Sequence, residues 1–384
     1  MTRRRVRVLH IVQNLNYGGM ERVVSDLILH SDTESFEQHL LCLQYLGRFS
    51  EGLERVAELH VATPMSRLSM VNPVGLARDI RRIAPDVVHT HSGVWYKASL
   101  ASRKAGVRAL VHTEHGRRSP DPLLDRVVDG AAARRTDAVV AVSERLAREL
   151  HGTLRMSPDR VVCIPNGIDT EVYRPRPDSG ALRRELGLAP EVQIVGSIGR
   201  LEPIKAYDTM VAAFARFSET DVGRRAVLVI GGDGSERPAL ERQIDQLGIR
   251  GRVRLLGWRN DIHDLLSAFS LFSMSSRSEG TSISLLEAMS AGLPPVVTDV
   301  GGNSAVLGDA LPHCLVPFGD TRALSEAWNR ILATSDSQQA ASALARRRVV
   351  DAFGVGAVAR RYEQLYARIA PINAQDALMQ AARA

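Results

Sequence analysis

Three features of this 384-residue chain predict two α/β domains, each a parallel sheet wound with helices on both faces. Strand-like β-branched runs alternate with segments of helical period from end to end. The alternation breaks once, in "IPNGIDTEVYRPRPDSG" from Ile164 to Gly180, where Pro165, Pro175, Pro177 and the Asn166-Gly167 turn signal interrupt it. The length suits two domains of about 150 to 200 residues better than one core.

In order, "RVRVLHIV" from Arg5 reads as a strand, followed by a helical stretch from Met20, the strand "HLLCL" from His39 and a helical stretch near Pro73. Then come "DVVHTH" from Asp86, a helix near Lys97, "ALVHTEH" from Ala109 and "AVVAVS" from Ala138. After the break the strands are "QIVGSIG" from Gln193, "AVLVIGG" from Ala226, "RVRLLG" from Arg252, "LFSMSS" from Leu271, "PPVVTD" from Pro294 and "HCLVPF" from His313. Helices separate them, the first with Tyr207, Met210, Val211 and Phe214 at helical spacing. Beyond Ala333 the chain reads as helical, ending in a tail from Pro371 that frays. The domains are therefore 1–170, 171–355, and a C-terminal helix and tail over 356–384 that packs back toward the first.

Hydrophobic content of 45% and charged content of 24% are those of a folded, water-soluble protein. No apolar run reaches the ~18 residues of a spanning helix, and Gln13, Asn14 and Asn16 end the first apolar stretch too early for a signal peptide, so a cytoplasmic location is expected. Cys42, Cys163 and Cys314 are odd in number and far apart, which argues against a disulfide framework or a zinc site and for buried small apolar residues. Of 49 Lys and Arg only Lys97, Lys104 and Lys205 are lysines, so each draws some notice, and Lys205, at a strand's end, suggests that a compact point charge is wanted there. Residues 1–170 hold 24 cations and 19 anions, net +5, which fits either an anionic partner such as a membrane surface or a solvated basic face.

Ligands of open α/β sheets collect at the carboxyl ends of strands. Gly18-Gly19 opens a helix there, as a simple tight turn or as a close approach to an anion, but no G-x-G-x-x-G follows. His89, His91 and His115 also sit at strand ends, where ordinary polar contact or a substrate hydrogen bond is the first reading and a metal the lesser one. In "GSIGRLEPIK" Arg200 and Lys205 stand five apart at a strand's end, as two cations for a diphosphate or two solvated side chains. "IGGDGS" is alone only a turn and cap signal. In "RSEGTSISLLEAMSAGLP" Glu279 lies before a helix that runs to Ser290 with Thr281 or Ser282 as N-cap, and Glu287 lies inside it among Leu285, Leu286, Ala288 and Met289, where it is expected to be largely buried. A buried carboxylate needs either an arginine or a ligand with paired hydroxyls.

Together and in this order, Gly18-Gly19, His115-Gly116, "NGID" from Asn166, Arg200 with Lys205, "GDG" from Gly232, and Glu279 with seven residues between it and Glu287 resemble the retaining glycosyltransferases of family 4. The resemblance spans nearly the whole chain, is similar to members that build bacterial exopolysaccharide and other envelope glycans, and implies the GT-B fold, two Rossmann-like domains facing a cleft. It implies a nucleotide-sugar donor, a UDP- or GDP-sugar, with Arg200 and Lys205 on the diphosphate and Glu279, Gly280 and Thr281 on the transferred sugar. Glu287 would take the ribose diol, Ser282 and Ile283 the phosphates, and Trp258 and Arg259 the edge of the base. Gly18 and Gly19 would approach the phosphates and His115 the sugar, so the catalytic set is Arg200, Lys205, Glu279 and His115. Ala206 stands where a glycine is common, a departure expected to matter little, and Thr281-Ser282 replace a frequent aromatic and small pair, which bears on sugar preference.

The resemblance further implies a retaining hexosyl or N-acetylhexosaminyl transfer to a glycan or lipid-linked acceptor, with no metal, no other cofactor and no nucleic acid. Charge alone would supply any peripheral contact with an anionic membrane. The rival readings are a non-catalytic nucleotide-sugar-binding protein and an NAD-dependent oxidoreductase; the latter lacks its glycine fingerprint.

Overall fold

A computed structural model describes residues 4–16, 18–64, 72–116 and 123–371; the tail expected from Pro371 lies almost wholly outside them. Contacts divide the chain into two units, Met1–Gly167 with Val355–Ala384, and Ile168–Gly354.

The first unit is a seven-stranded parallel sheet of order β3-β2-β1-β4-β5-β6-β7. Its strands are β1 (Val6–Asn14), β2 (Phe36–Tyr45), β3 (Ala57–Val61), β4 (Val87–His91), β5 (Ala109–Glu114), β6 (Ala138–Ala141) and β7 (Val161–Cys163). Helices α1 (Gly19–Leu29), α2 (Val74–Ile83), α3 (Trp95–Ala105), α4 (Leu123–Ala133) and α5 (Glu144–Leu154) connect them. Both faces are covered, so β1 is apolar along most of its length, with Val6, Val8, Leu9, Ile11 and Val12 fully buried. Leu9, Ile11, Leu41 and Val88 pack against Leu76 and Ile80 of α2. On the other face Val6, Val8, Val87 and Val111 pack under Val358, Tyr362 and Tyr366 of α14 (Val355–Ile369), the last described helix of the chain.

The second unit is a six-stranded parallel sheet of order β10-β9-β8-β11-β12-β13. Its strands are β8 (Gln193–Ile198), β9 (Ala226–Gly231), β10 (Val253–Leu255), β11 (Leu271–Met274), β12 (Pro295–Thr298) and β13 (Leu315–Val316). The helices are α6 (Ala181–Leu186), α7 (Tyr207–Phe217), α8 (Arg237–Gln246), α9 (Ile262–Ala268), α10 (Ile283–Ser290), α11 (Asn303–Leu307), α12 (Thr321–Leu332) and α13 (Ser335–Phe353). Phe214 and Phe217 of α7 pack on Trp328 of α12, whose indole N–H donates to the Ser273 hydroxyl at 3.0 Å, so the largest core side chain is also polar-satisfied.

The two chain crossings run side by side: Ile168 N–H donates to Phe353 O at 2.9 Å, and a Cβ on Gly167 would meet Val355 Cα at 2.9 Å. Two strands differ from expectation. Sequence reading passes over β3, a five-residue edge strand with only half-buried and exposed residues, and β7, which has three residues. β7 is too short to show a pattern, whereas β3 does alternate, Ala57-Glu58-Leu59-His60-Val61, and is overlooked although its period is visible.

In β8 a Cβ added to Gly196 would lie 1.9 Å from the Phe269 ring, the close approach that a strand glycine often marks. Gly196→Ala is expected to destabilise the second unit by about 1–3 kcal/mol through overpacking, read as a lower urea midpoint with an unchanged slope.

Candidate active site

In the second sheet the order reverses between β8 and β11, so the loops after these adjacent strands diverge and leave a crevice at their carboxyl ends. The loop after β8 is pinned by backbone contacts. Gly199 N–H donates to Gly231 O at 3.0 Å and Leu201 N–H to Asp233 O at 2.9 Å. A Cβ on Gly232, which holds φ +145°, would meet Gly199 O at 2.0 Å, which accounts for the glycine of the "GDG" run. The loop ends in a short turn, Pro203–Lys205, and then Ala206 at φ +47°. That conformation is free for glycine but costs alanine roughly 1–2 kcal/mol, so the expectation that this departure matters little is corrected. The Ser275 hydroxyl, within hydrogen-bond reach of Lys205 O at 3.0 Å and Ala206 O at 2.9 Å, holds the turn.

The loop after β11 meets it. Arg277 N–H donates to Ile204 O at 2.8 Å, and the Arg277 guanidinium lies 5.1 Å from the centre of the Phe318 ring. A Cβ on Gly301, at φ +59°, would lie 1.7 Å from Glu279 O, and Gly302 N–H donates to Gly280 O at 3.2 Å, so the glycine pair after β12 admits this backbone. The loops thereby bring Lys205 Nζ to 2.7 Å from Glu279 Oε1, which also accepts from the Ser276 hydroxyl at 2.5 Å. The side chains are 21% and 9% exposed, so the ion pair sits mostly out of water but open on one side.

Ser282 is the N-cap of α10, its hydroxyl facing Leu285 N–H at 3.5 Å; Thr281 and Ser282 are buried and Ile283 begins the helix. Glu287 is half-buried. Ile283, Ser284, Glu287 and Ala291 form one partly open stripe, while Leu285, Leu286, Ala288 and Met289 are buried. The carboxylate is on the wetter side of a mostly apolar helix.

Arg200 is exposed in the β8 loop. Trp258 is 65% exposed, whereas the Arg259 guanidinium is clamped by Glu185 at 2.6 and 2.9 Å and by Asp261 at 2.8 and 2.5 Å. Those hydrogen bonds, from Asp261 first, raise the pKa of Arg259 and commit its side chain to holding its own loop.

In the first unit Gly18 holds φ +153° ahead of α1, where a Cβ would meet the Glu21 carboxylate at 2.2 Å, and Gly19 is the first helical residue. His115 follows β5, its N–H donating to the Ser92 hydroxyl at 3.0 Å, which in turn donates to Glu114 at 2.7 Å. Its Nε2 is 3.3 Å from His91 Nδ1; His91 Nε2 is 3.3 Å from His10 Nδ1, and His10 Nε2 is 3.1 Å from Gln38 Oε1. The Gln38 amide donates to Ser31 Oγ at 2.7 Å, whose hydroxyl donates to Glu363 of α14 at 3.1 Å. His89 lies in the same layer between the Tyr366 hydroxyl and Thr113 Oγ1, each at 2.7 Å. Neutral imidazoles, each donating one way and accepting the other, are what such a row requires.

Two clusters among the described residues could hold a metal, His10 with His89 and His91, and His39 with Glu58 and His60. In the first, every ring nitrogen already has a protein partner and no carboxylate joins it. Reading the chain missed Ser275, Ser276 and Gly301 as parts of the site, although the serine pair directly before "RSEG" and the Gly301-Gly302 pair after a strand were visible. It also missed His10 and Gln38, because only the pairing of β1 with β2 and β4 brings them to His91.

Comparison with known proteins accords with this geometry. A family model described as Glycosyltransferase Family 4 matches residues 17–172, and one described as Glycosyl transferases group 1 matches 178–348. The chain is 27% identical over 380 residues to the UDP-Gal:alpha-D-GlcNAc-diphosphoundecaprenol alpha-1,3-galactosyltransferase of Escherichia coli, covering 95% of this chain and 97% of that protein. It is 32% identical over 269 residues to the D-inositol 3-phosphate glycosyltransferase of Nocardia farcinica, 65% of this chain but 59% of that one. Among solved structures, Anabaena HepE in complex with UDP and glucose superimposes with a TM-score of 0.81 at 23% identity, over 94% of this chain and all of that one. Two parallel-sheet Rossmann-like domains of the GT-B type define the class. The chain belongs to the glycosyltransferases, with the family 4 type in its first half and the group 1 type in its second.

Burial lowers the pKa of His10 and His115 from 6.5 to about 4 and pushes His89 and His91 well below 6.5. The folded state therefore refuses protons that the unfolded chain accepts below pH 6.5, so stability is full above that value and falls as pH drops from 6.5 through 4. Each such histidine contributes at most ~1.4 kcal/mol per pH unit. The urea midpoint is expected to drop between pH 7 and pH 5, and to drop less in His10→Gln, whose amide cannot titrate.

Proposed function

We propose that the protein is a retaining glycosyltransferase that moves a hexosyl or N-acetylhexosaminyl group from a UDP- or GDP-sugar to an envelope, polysaccharide or lipid-linked acceptor, without a metal ion. The observation that carries this reading is the Lys205–Glu279 ion pair at the β8/β11 switch point, 2.7 Å between the charged atoms. The E. coli relative, matched over nearly its full length, is named for a diphosphoundecaprenol-linked acceptor, which supports the acceptor class.

Each charge of the pair keeps the other from being left unpaired in a poorly hydrated place. A bound donor supplies both with better partners. Its diphosphate takes Lys205 and Arg200, while sugar hydroxyls donate to Glu279 and meet the N–H groups of Gly280 and Thr281. The free N–H groups at Ser282 and Ile283 face the phosphates, the half-open Glu287 accepts the ribose diol, and Trp258 offers an exposed apolar edge to the base. Backbone rather than the clamped guanidinium is what Arg259 contributes. In the first unit Gly18 and Gly19 allow phosphate oxygens to approach the start of α1, and His115 offers a neutral imidazole to a hydroxyl.

As the anomeric carbon–oxygen bond breaks, its electron pair goes to the diphosphate oxygen, where fixed cations and the α10 N-terminus stabilise it. The acceptor hydroxyl adds to the anomeric carbon and its proton passes to that departing oxygen on the same face of the sugar, which gives retention. Two cations and a helix N-terminus do the work otherwise done by a divalent ion, and the reading carries no cofactor beyond the nucleotide sugar. No helix among the described residues is long and apolar enough to cross a membrane. With the net +5 of residues 1–170, this fits action from the cytoplasm at an anionic membrane surface.

Glu279→Ala is expected to lower transfer by about 10²–10³-fold while leaving nucleoside diphosphate affinity nearly intact, and Lys205→Ala to weaken both. Release of nucleoside diphosphate from a panel of UDP- and GDP-sugars, with and without chelator, is the measurement. Equal loss of binding and turnover in Glu279→Ala, or abolition of transfer by the chelator, would count against these roles.

A further inference from the structure

Away from the proposed active site, the edge of the first sheet carries a second constellation. β2 and the edge strand β3 are paired in parallel so that His39 stands opposite Glu58 and Leu41 opposite His60. Because side chains alternate between faces, Glu58 and His60 share the face of His39. Their polar atoms converge, with His39 Nδ1 3.2 Å from His60 Nε2, the two Glu58 oxygens 3.6 Å from His39 Nδ1 (Oε2) and 3.8 Å from His60 Nε2 (Oε1), and one ligand atom from each residue within 4.8 Å of the others. A zinc ion about 2.0–2.2 Å from each of three such atoms in a tetrahedron sets them roughly 3.3–3.6 Å apart. Rotation of the exposed Glu58 carboxylate, which brings a single oxygen to both imidazoles, would complete the triangle.

The surroundings favour it. His39 Nε2 faces Glu37 Oε1 at 2.9 Å, and Glu37 is held by Arg7 Nε at 3.0 Å. A carboxylate behind Nε2 puts the His39 ring proton there and leaves the Nδ1 lone pair aimed at the triangle, the arrangement that orients metal-ligating histidines. The two imidazoles are stacked within 8° and their side chains are 4% and 14% exposed, so the rings are held in place, while Glu58 is 68% exposed and leaves a fourth position to water. Without a metal, His60 Nε2–H donates to His39 Nδ1; binding moves that proton to His60 Nδ1. Arg82, the cation in reach of His60, lies 3.6 Å from Asp79, which offsets its charge.

We propose that His39, Glu58 and His60 form a divalent transition-metal site, zinc by its two imidazoles and one carboxylate, that clamps the edge strand β3 to β2. Magnesium and calcium, which prefer all-oxygen shells, are excluded by this donor set. The site is separate from the sugar-transfer chemistry and does not depend on it.

Titrating tag-free, chelator-treated full-length protein with zinc chloride is expected to give one saturable equivalent, with a raised thermal midpoint and no response to magnesium. Glu58→Gln, exposed enough to fold normally, should weaken binding, His60→Ala should abolish it, and Glu37→Gln should weaken it about 10–100-fold from behind the ligand. Cobalt in place of zinc should give the visible spectrum of a four-coordinate ion. No uptake by the folded wild-type protein, or uptake and midpoint shift unchanged in Glu58→Gln and His60→Ala, would overturn the proposal.

Discussion

The contact on which the donor-side architecture turns is the one between Lys205 and Glu279. A carboxylate 9% exposed would be strongly unfavourable alone, and its cation comes from a loop seventy-four residues away in sequence. For the two to meet, β8 and β11 must be neighbours, their loops must bend toward each other, and the backbone must admit unusual conformations at Gly232, Gly301 and Ala206. Ala206 shows the demand most plainly, since a residue with a Cβ is held where a glycine would rest without strain. The serines on either side of that junction, Ser275 and Ser276, satisfy the carbonyls and carboxylate that the bend brings together.

Much of this was legible in the residues. The six strands of the second sheet each stood out as apolar runs bounded by glycine, proline or charge, because a parallel sheet covered on both faces needs no polar alternation. Lys205 stood out because a chain that writes arginine nearly everywhere kept a lysine at a strand's end. What did not show was anything that depends on strand order. That Lys205 and Glu279 are paired rather than merely both present follows from the reversal of order between β8 and β11, and the row from His115 through His91 to His10 and Gln38 follows from four strands lying side by side. The open side of Glu287 was not legible for a more local reason, because the partly open stripe of its helix, Ile283, Ser284, Glu287 and Ala291, mixes polar and apolar residues.

The two units solve the problem of a parallel sheet differently. The second fills its interior with Phe214, Phe217, Phe272 and Trp328 and leaves polar work to its loops. The first lines one face of its sheet with four imidazoles and their partners, His10, His89, His91 and His115, so part of its packing is a hydrogen-bonded layer. Such a layer defines orientation more strictly than apolar contacts do, since a displaced ring loses a directed bond as well as area. It stands next to the strand ends from which His115 projects.

The closing element of that layer is α14, from the far end of the chain. Tyr362 and Tyr366 reach Thr113 and His89, and Glu363 takes the Ser31 hydroxyl, so bonds within the first unit span 249, 277 and 332 residues. During synthesis the seven strands emerge long before this helix exists, and the intervening unit must be made in full between them. Until then the histidine face lies open to water, and the unit that starts first is the one that finishes last. Folding of the nascent chain is thus ordered from the inside outward: the inserted unit can settle on its own contacts, while its host waits for the final turns of helix to leave the ribosome.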